Sequence, residues 1–137
     1  MREGGAVAFS DDGRWVPDGG LLRRAFEHAR LDGTAIVEHA EDETLSRRAP
    51  MHEGAVSTRL GLAGQPGIAE AAAVARDLLV AEAAAGRLHL AHVSTARALD
   101  LIREAKSRGI AVTCEVTPHH LLLTDQEVAS SAFSTRF

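Results

Sequence analysis

Apolar residues recur along the chain in two rhythms. Four short runs, GAVAFS (5–10), TAIVEHAED (34–42), RLHLAHVS (87–94) and IAVTCEVTP (110–118), are dense in small, β-branched or leucine side chains. Glycine or polar residues bound each of them, which predicts strands. The intervening segments repeat at helical spacing. Residues 18–32 place Leu21, Leu22, Ala25, Phe26 and Ala29 on one face, with Asp18 suited to the N-cap and Gly33 to the stop. Residues 66–85 predict a long alanine-rich helix that starts at Pro66 and ends before Gly86. Residues 95–108 predict another, stopping at Gly109, and 125–131 a short last one. The resulting order, β-α-β-loop-α-β-α-β, argues for a parallel sheet covered by helices. The connection from Ala40 to Gln65 has few core residues and three glycines, and reads as an active-site loop.

Polar groups then interrupt this pattern at one recurring place. Asp11 and Asp12 close the first strand run, His39 the second and His92 the third, while the fourth leads into His119 and His120. That is the C-terminal end of successive parallel strands, where (β/α)8 barrels and open α/β sheets carry their sites. Strand alternation groups His92 with Leu90 and Leu88, and His39 with Val37 and Ala35. Both imidazoles are therefore expected to point the same way, and with a carboxylate they could hold Zn²⁺ or a similar divalent ion. Taken alone, each residue also has a plainer reading. A single histidine at a strand end is commonly a hydrogen-bonded structural residue, and Asp-Asp-Gly is commonly a turn. His89 is expected to face the helix layer, His28 and His52 to be exposed, and His119 and His120 to shape a loop at the site. Cys114 reads as a small buried apolar residue.

Composition narrows the class without changing this picture. At 137 residues the chain suits one domain, and 45% hydrophobic with 25% charged residues is ordinary for a soluble globular protein. A formal charge of −4 gives no reason to expect nucleic acid or an anionic membrane as partner. One cysteine allows no internal disulfide, which points to an intracellular, cytoplasmic protein. No run is long and apolar enough to span a bilayer, and no signal peptide is recognised.

Several of these segments occur together elsewhere. GAVAFSDDG, IVEHAED, HEGAVSTRLGL, ARDLLVAE and LHLAHVSTARALDLIREAKSRGIAVTCEVTPHHLLLTD closely resemble the middle of class I dihydroorotases, in the amidohydrolase superfamily. FSDDG, HVST and EVTPHH in this order are highly specific, and the resemblance runs from about Gly4 to Phe137. It implies a (β/α)8 TIM barrel with a binuclear centre, usually zinc, that interconverts N-carbamoyl-L-aspartate and dihydroorotate in pyrimidine biosynthesis. It implies Asp12 as the bridging ligand and His39 and His92 as further metal ligands, with Asp11 outside the ligand set. Hydantoinases and allantoinases bridge their metals with a carboxylated lysine at the strand-four position. The sole lysine here, Lys106, lies in a predicted helix, so an aspartate-bridged dihydroorotase is the better match.

A full barrel needs roughly 250 residues. In family terms this chain covers about four βα units, strands four to seven, so residues 1–137 are expected to form a partial barrel domain truncated at both ends. The strand-one histidine pair, the arginine after it and the strand-eight aspartate that serves as general acid/base have no counterpart. The resemblance thus implies a fragment inactive alone, whose partners are the missing barrel segments and a small-molecule substrate. It also implies association with aspartate carbamoyltransferase. The alternatives are a non-catalytic dihydroorotase-like structural partner of that enzyme, another cyclic amidohydrolase, or a small α/β binding domain. No phosphate-binding glycine loop follows the first strand to support the last.

Overall fold

A computed structural model describes residues 2–11 and 13–130 of the chain. Strands β1 (Ala8–Ser10), β2 (Ala35–Glu38), β3 (Arg87–Leu90) and β4 (Val112–Cys114) form one parallel sheet in the order β1-β2-β3-β4. The connecting helices are α1 (Gly19–Leu31), α4 (Ile68–Ala84) and α5 (Ala96–Ser107). The architecture is therefore α/β, four consecutive βα units of a partial (β/α)8 barrel. The strands are shorter than the apolar runs predict. The second, third and fourth runs continue past their strands toward the C-terminal rim, whereas the first begins ahead of its strand, with Val7 exposed. No helix among the described residues is long and apolar enough to cross a membrane.

The register assigns the two sheet faces. Ile36 pairs with Leu88 and Leu88 with Val112, and Glu38 pairs with Leu90. Ile36, Leu88, Leu90 and Val112 are buried beneath Leu22, Phe26 and Ala29 of α1, Val74, Leu78 and Ala81 of α4, and Ala98, Ile102 and Ala105 of α5. Leu21 lies outside that stripe and is half exposed. Asp18 caps α1 as expected, its Oδ1 accepting from the N–H groups of Gly20 and Leu21 at 2.8 and 3.0 Å. Gly86 follows α4 for a steric reason. A Cβ there would stand 2.5 Å from the Phe26 ring, so α1 and the α4–β3 turn could not both keep their places.

The long connection after β2 is more ordered than a bare loop. It contains α2 (Glu43–Ser46) and α3 (Ala55–Leu60), and its second half is closed on itself by Gln65 N–H donating to Met51 C=O at 2.7 Å and Glu53 N–H to Gln65 C=O at 2.9 Å. After β4 the chain forms α6 (Pro118–Leu122), which carries His119 and His120, and then α7 (Gln126–Ser130).

One polar group of the covered face stands out. Glu38 is 1% exposed, and its Oε2 has no hydrogen-bond partner among the described residues. Burial pushes its carboxyl up to about 8, and the carboxylates of Asp77 and Asp11 add to the effect. Asp77, on α4, is fully buried and pushed up to about 6 by burial, against the pull of Arg76. It accepts from Trp15 Nε1 at 3.0 Å and from Arg76 Nε at 2.8 Å. The Arg76 guanidinium lies 3.8 Å over the Trp15 ring and donates to Val16 C=O at 2.6 Å. Together these contacts fasten the loop after β1 to α4.

Candidate functional site

The two strand-end histidines meet. His39 Nδ1 lies 2.9 Å from His92 Nε2, with the rings edge to face at 4.6 Å between centroids. His39 Nε2 lies 3.2 Å from Glu41 Oε2. A carboxylate facing Nε2 favours the tautomer that donates there. That leaves Nδ1 as the acceptor, with His92 Nε2–H as the donor.

Regular alternation does not produce this meeting. The register opposes Val37 to His89, and Glu38 to Leu90. A regular β3 would therefore send His92 to the helix-covered face, away from His39. The chain avoids this with an extra residue. Glu115 N–H donates to Leu90 C=O at 3.1 Å, and Val93 N–H donates to Glu115 C=O at 2.9 Å. A parallel ladder places those two partners two residues apart; here they are three apart, which is a β-bulge. His92 absorbs it with φ 38°, in the left-handed region that non-glycine residues seldom adopt. The next side chain turned inward is Val93, 3% exposed, and the imidazole of His92 is released toward His39.

His89 corrects the sequence expectation. It shares its face with Val37 and Thr113, opposite the buried leucines, so it does not face the helix layer. Its Nδ1 lies 2.8 Å from Thr113 Oγ1, and its Nε2 lies 3.5 Å from Glu115 Oε2. The expectation failed because the leucines, and not the histidine, are the residues that α4 and α5 cover.

Asp11 shapes the end of β1. Its Oδ2 accepts from the backbone N–H of His39 at 2.7 Å, and its Oδ1 accepts from Gly13 N–H at 3.2 Å. Its own N–H donates to Val37 C=O at 3.1 Å, so one residue ties β1 to the base of His39. Asp12, the expected bridging ligand, lies outside the described residues. Among the described residues no three of His, Cys, Asp and Glu converge as a complete metal site. The structure thus brings together His39 and His92 with Glu41 beside them.

A cavity of about 730 Å³ opens at this rim, and His39, Glu41, His52, Glu70, His92 and His120 are among its lining residues. His119 and His120 stack edge to face at 4.5 Å. Partial burial holds the His120 imidazole below its ordinary pKa, with the neighbouring His119 and His92 adding to the effect. Glu70, in the first turn of α4, clasps the loop after His92. Its Oε1 accepts from Ser94 N–H at 2.7 Å and Ser94 Oγ at 3.0 Å. Its Oε2 accepts from Thr95 N–H at 2.8 Å and from the Thr95 hydroxyl. Sequence reasoning singled out neither Glu41 nor Glu70. Glu41 had a signal in its position two residues after His39, whereas Glu70 sits in an ordinary alanine-rich helix and had none.

A sequence profile described as dihydro-orotase-like matches residues 1–98. The chain is 54% identical over 136 residues to a dihydroorotase of Pelotomaculum thermopropionicum, covering 99% of this chain and 32% of that one. It is 55% identical over 137 residues to a dihydroorotase of Anaeromyxobacter dehalogenans, covering 100% and 32%. Among solved structures it resembles the L-hydantoinase (dihydropyrimidinase) from Arthrobacter aurescens, with a TM-score of 0.76, 31% identity, and coverage of 95% of this chain and 31% of that one. A D-hydantoinase structure matches with a TM-score of 0.73 at 25% identity, covering 94% and 30%. The chain spans about a third of the length of the curated relatives it matches.

Proposed function

The chain belongs to the dihydro-orotase-like family, and on that footing we propose that it carries part of the metal-binding rim of a dihydroorotase, with Asp12, His39 and His92 as ligands and zinc as the ion. The reaction is the reversible cyclisation of N-carbamoyl-L-aspartate to dihydroorotate. The observation that carries this reading is the 2.9 Å approach of His39 Nδ1 to His92 Nε2 at the ends of neighbouring parallel strands. Two imidazole nitrogens on a tetrahedral zinc stand roughly 3.3 Å apart, given Zn–N bonds of about 2.0–2.1 Å. A small turn of either ring reaches that spacing. The carboxylate of Glu41 on the far nitrogen of His39 matches the outer partner that metal-bound histidines usually have.

A divalent ion held here supplies Lewis acidity toward an amide carbonyl and a lowered pKa for water. The chain's own residues supply the rest. Glu41 fixes the tautomer of His39, and Asp11 holds its backbone. The bulge at His92 aims the second imidazole, and the cavity between β2, β3 and α6 gives a cyclic amide room beside both rings. The described residues offer no counterpart of the family's strand-eight aspartate at the rim, so these segments alone give negligible turnover. Catalysis requires the remaining barrel strands to supply the other ligands and the general acid/base. Zinc content after dialysis tests the ligand assignment. The parent chain retains zinc, and the Asp12→Ala, His39→Ala and His92→Ala variants each retain less. Equal zinc in the parent and all three variants overturns it, as does turnover by the zinc-loaded chain above the metal-only background for the inactivity.

A further inference from the structure

We propose that Glu70 is a positioning residue for His92: by clasping Ser94 and Thr95 it holds the bulge that turns the imidazole toward His39. The inference rests on the metal-site reading for its consequence, although the clasp itself is independent of any ion.

A left-handed residue without glycine's freedom persists only where its surroundings over-determine it. On the strand side of His92, Ala91 N–H donates to Glu38 C=O at 3.1 Å. Beyond it, Val93 is pinned to Glu115 at 2.9 Å. The following two residues have no strand partner. Their N–H groups at 2.7 and 2.8 Å, and both hydroxyls, are taken by the one carboxylate of Glu70, donated from across 24 and 25 residues of sequence. Charge-assisted bonds of this kind are about twice as strong as neutral ones. Thr95 is also the N-cap of α5, its hydroxyl accepting from Ala98 N–H. Glu70 therefore sets the path from His92 into α5. Without it Ser94 and Thr95 gain freedom, and His92 can relax to an extended conformation that returns its ring toward the covered face.

The test uses Glu70→Ala and Glu70→Gln in the full chain, with Glu82→Ala as a control at the other end of α4, where Glu82 pairs with Arg108. Glutamine keeps the shape of the side chain but replaces one acceptor oxygen with a donor. Two quantities are read: imidazole ¹⁵N NMR of the metal-free protein, which reports the shared His39–His92 hydrogen bond, and Co²⁺ affinity by titration. Glu70→Ala is expected to lose the shared-bond signature and to weaken Co²⁺ binding by about 10–100-fold, the range for outer partners of metal ligands. Glu70→Gln shifts both in the same direction by less, and Glu82→Ala shifts neither. If Glu70→Ala does not fold, Glu70→Gln decides alone. Parental imidazole spectra in the folded Glu70 variants overturn the proposal. A parent that shows the shared bond yet binds no Co²⁺ overturns the metal reading, and leaves the role of Glu70 to be judged by NMR.

Discussion

The helix-covered face of the sheet and its C-terminal rim obey different rules. On the covered face Phe26 and Leu90 are 0% exposed, the register is regular, and side chains alternate as a parallel ladder demands. At the rim the His39 side chain is 29% exposed and the ladder breaks at a bulge. There, a non-glycine residue takes φ 38°. The face is held by apolar burial spread over many residues. The rim is held by a few polar contacts between distant segments, each serving one side chain. Stability is thus concentrated on one side of this boundary and the candidate site on the other.

Substitutions should separate the two regions. Phe26→Ala removes a fully buried ring between α1 and the α4–β3 turn and is expected to destabilise the chain by about 3–5 kcal/mol in denaturant unfolding. His39→Ala is expected to cost less than about 1 kcal/mol while lowering zinc retention below that of the parent. Similar losses of stability from both would erase the boundary.

Titration gives a second separation. The carboxyl of Asp77 is pushed up from 3.8 to about 6 by burial, among Arg76, Trp15, Glu38 and Asp11. Its native form therefore holds a proton that the unfolded form has released between those values. Its contribution is favourable below about pH 4 and is lost as pH rises through about 6, the reverse of a carboxylate whose pKa folding lowers, because burial outweighs the Arg76 ion pair. Asp77→Asn should lessen, though not abolish, the fall of stability between pH 4 and 6 in urea unfolding, since Glu38, pushed up to about 8, keeps its own share of the slope. An unchanged slope would remove Asp77 as its source.

A smaller effect probes the bulge. Glycine adopts positive φ without the Cβ penalty, so His92→Gly should be more stable than His92→Ala by roughly 1 kcal/mol. At a regular strand position the order would reverse.

The same boundary explains what the sequence revealed. Helices α1, α4 and α5 and the four strands were legible because burial follows periodicity, and Asp18 and Gly33 punctuated α1 as local chemistry requires. The meeting of His39 and His92 was expected, but from an alternation that the register does not support. The bulge depends on Glu115 bonding across to Leu90 and Val93, a pairing that no local pattern encodes. His89 was misplaced for the same reason: which face of β3 the helices cover is decided by tertiary packing. Glu70 reaches its partners over two dozen residues and left no mark in its own helix.

The proposed pairing of His39 and His92 around one ion is open to a direct count. X-ray absorption fine structure of the zinc-loaded chain supplies it, because imidazole rings give a multiple-scattering signature that counts them. Two imidazoles on zinc are expected in the parent and one in His92→Ala. A parent shell of oxygen donors alone, or the same imidazole count in both proteins, would rule the pair out.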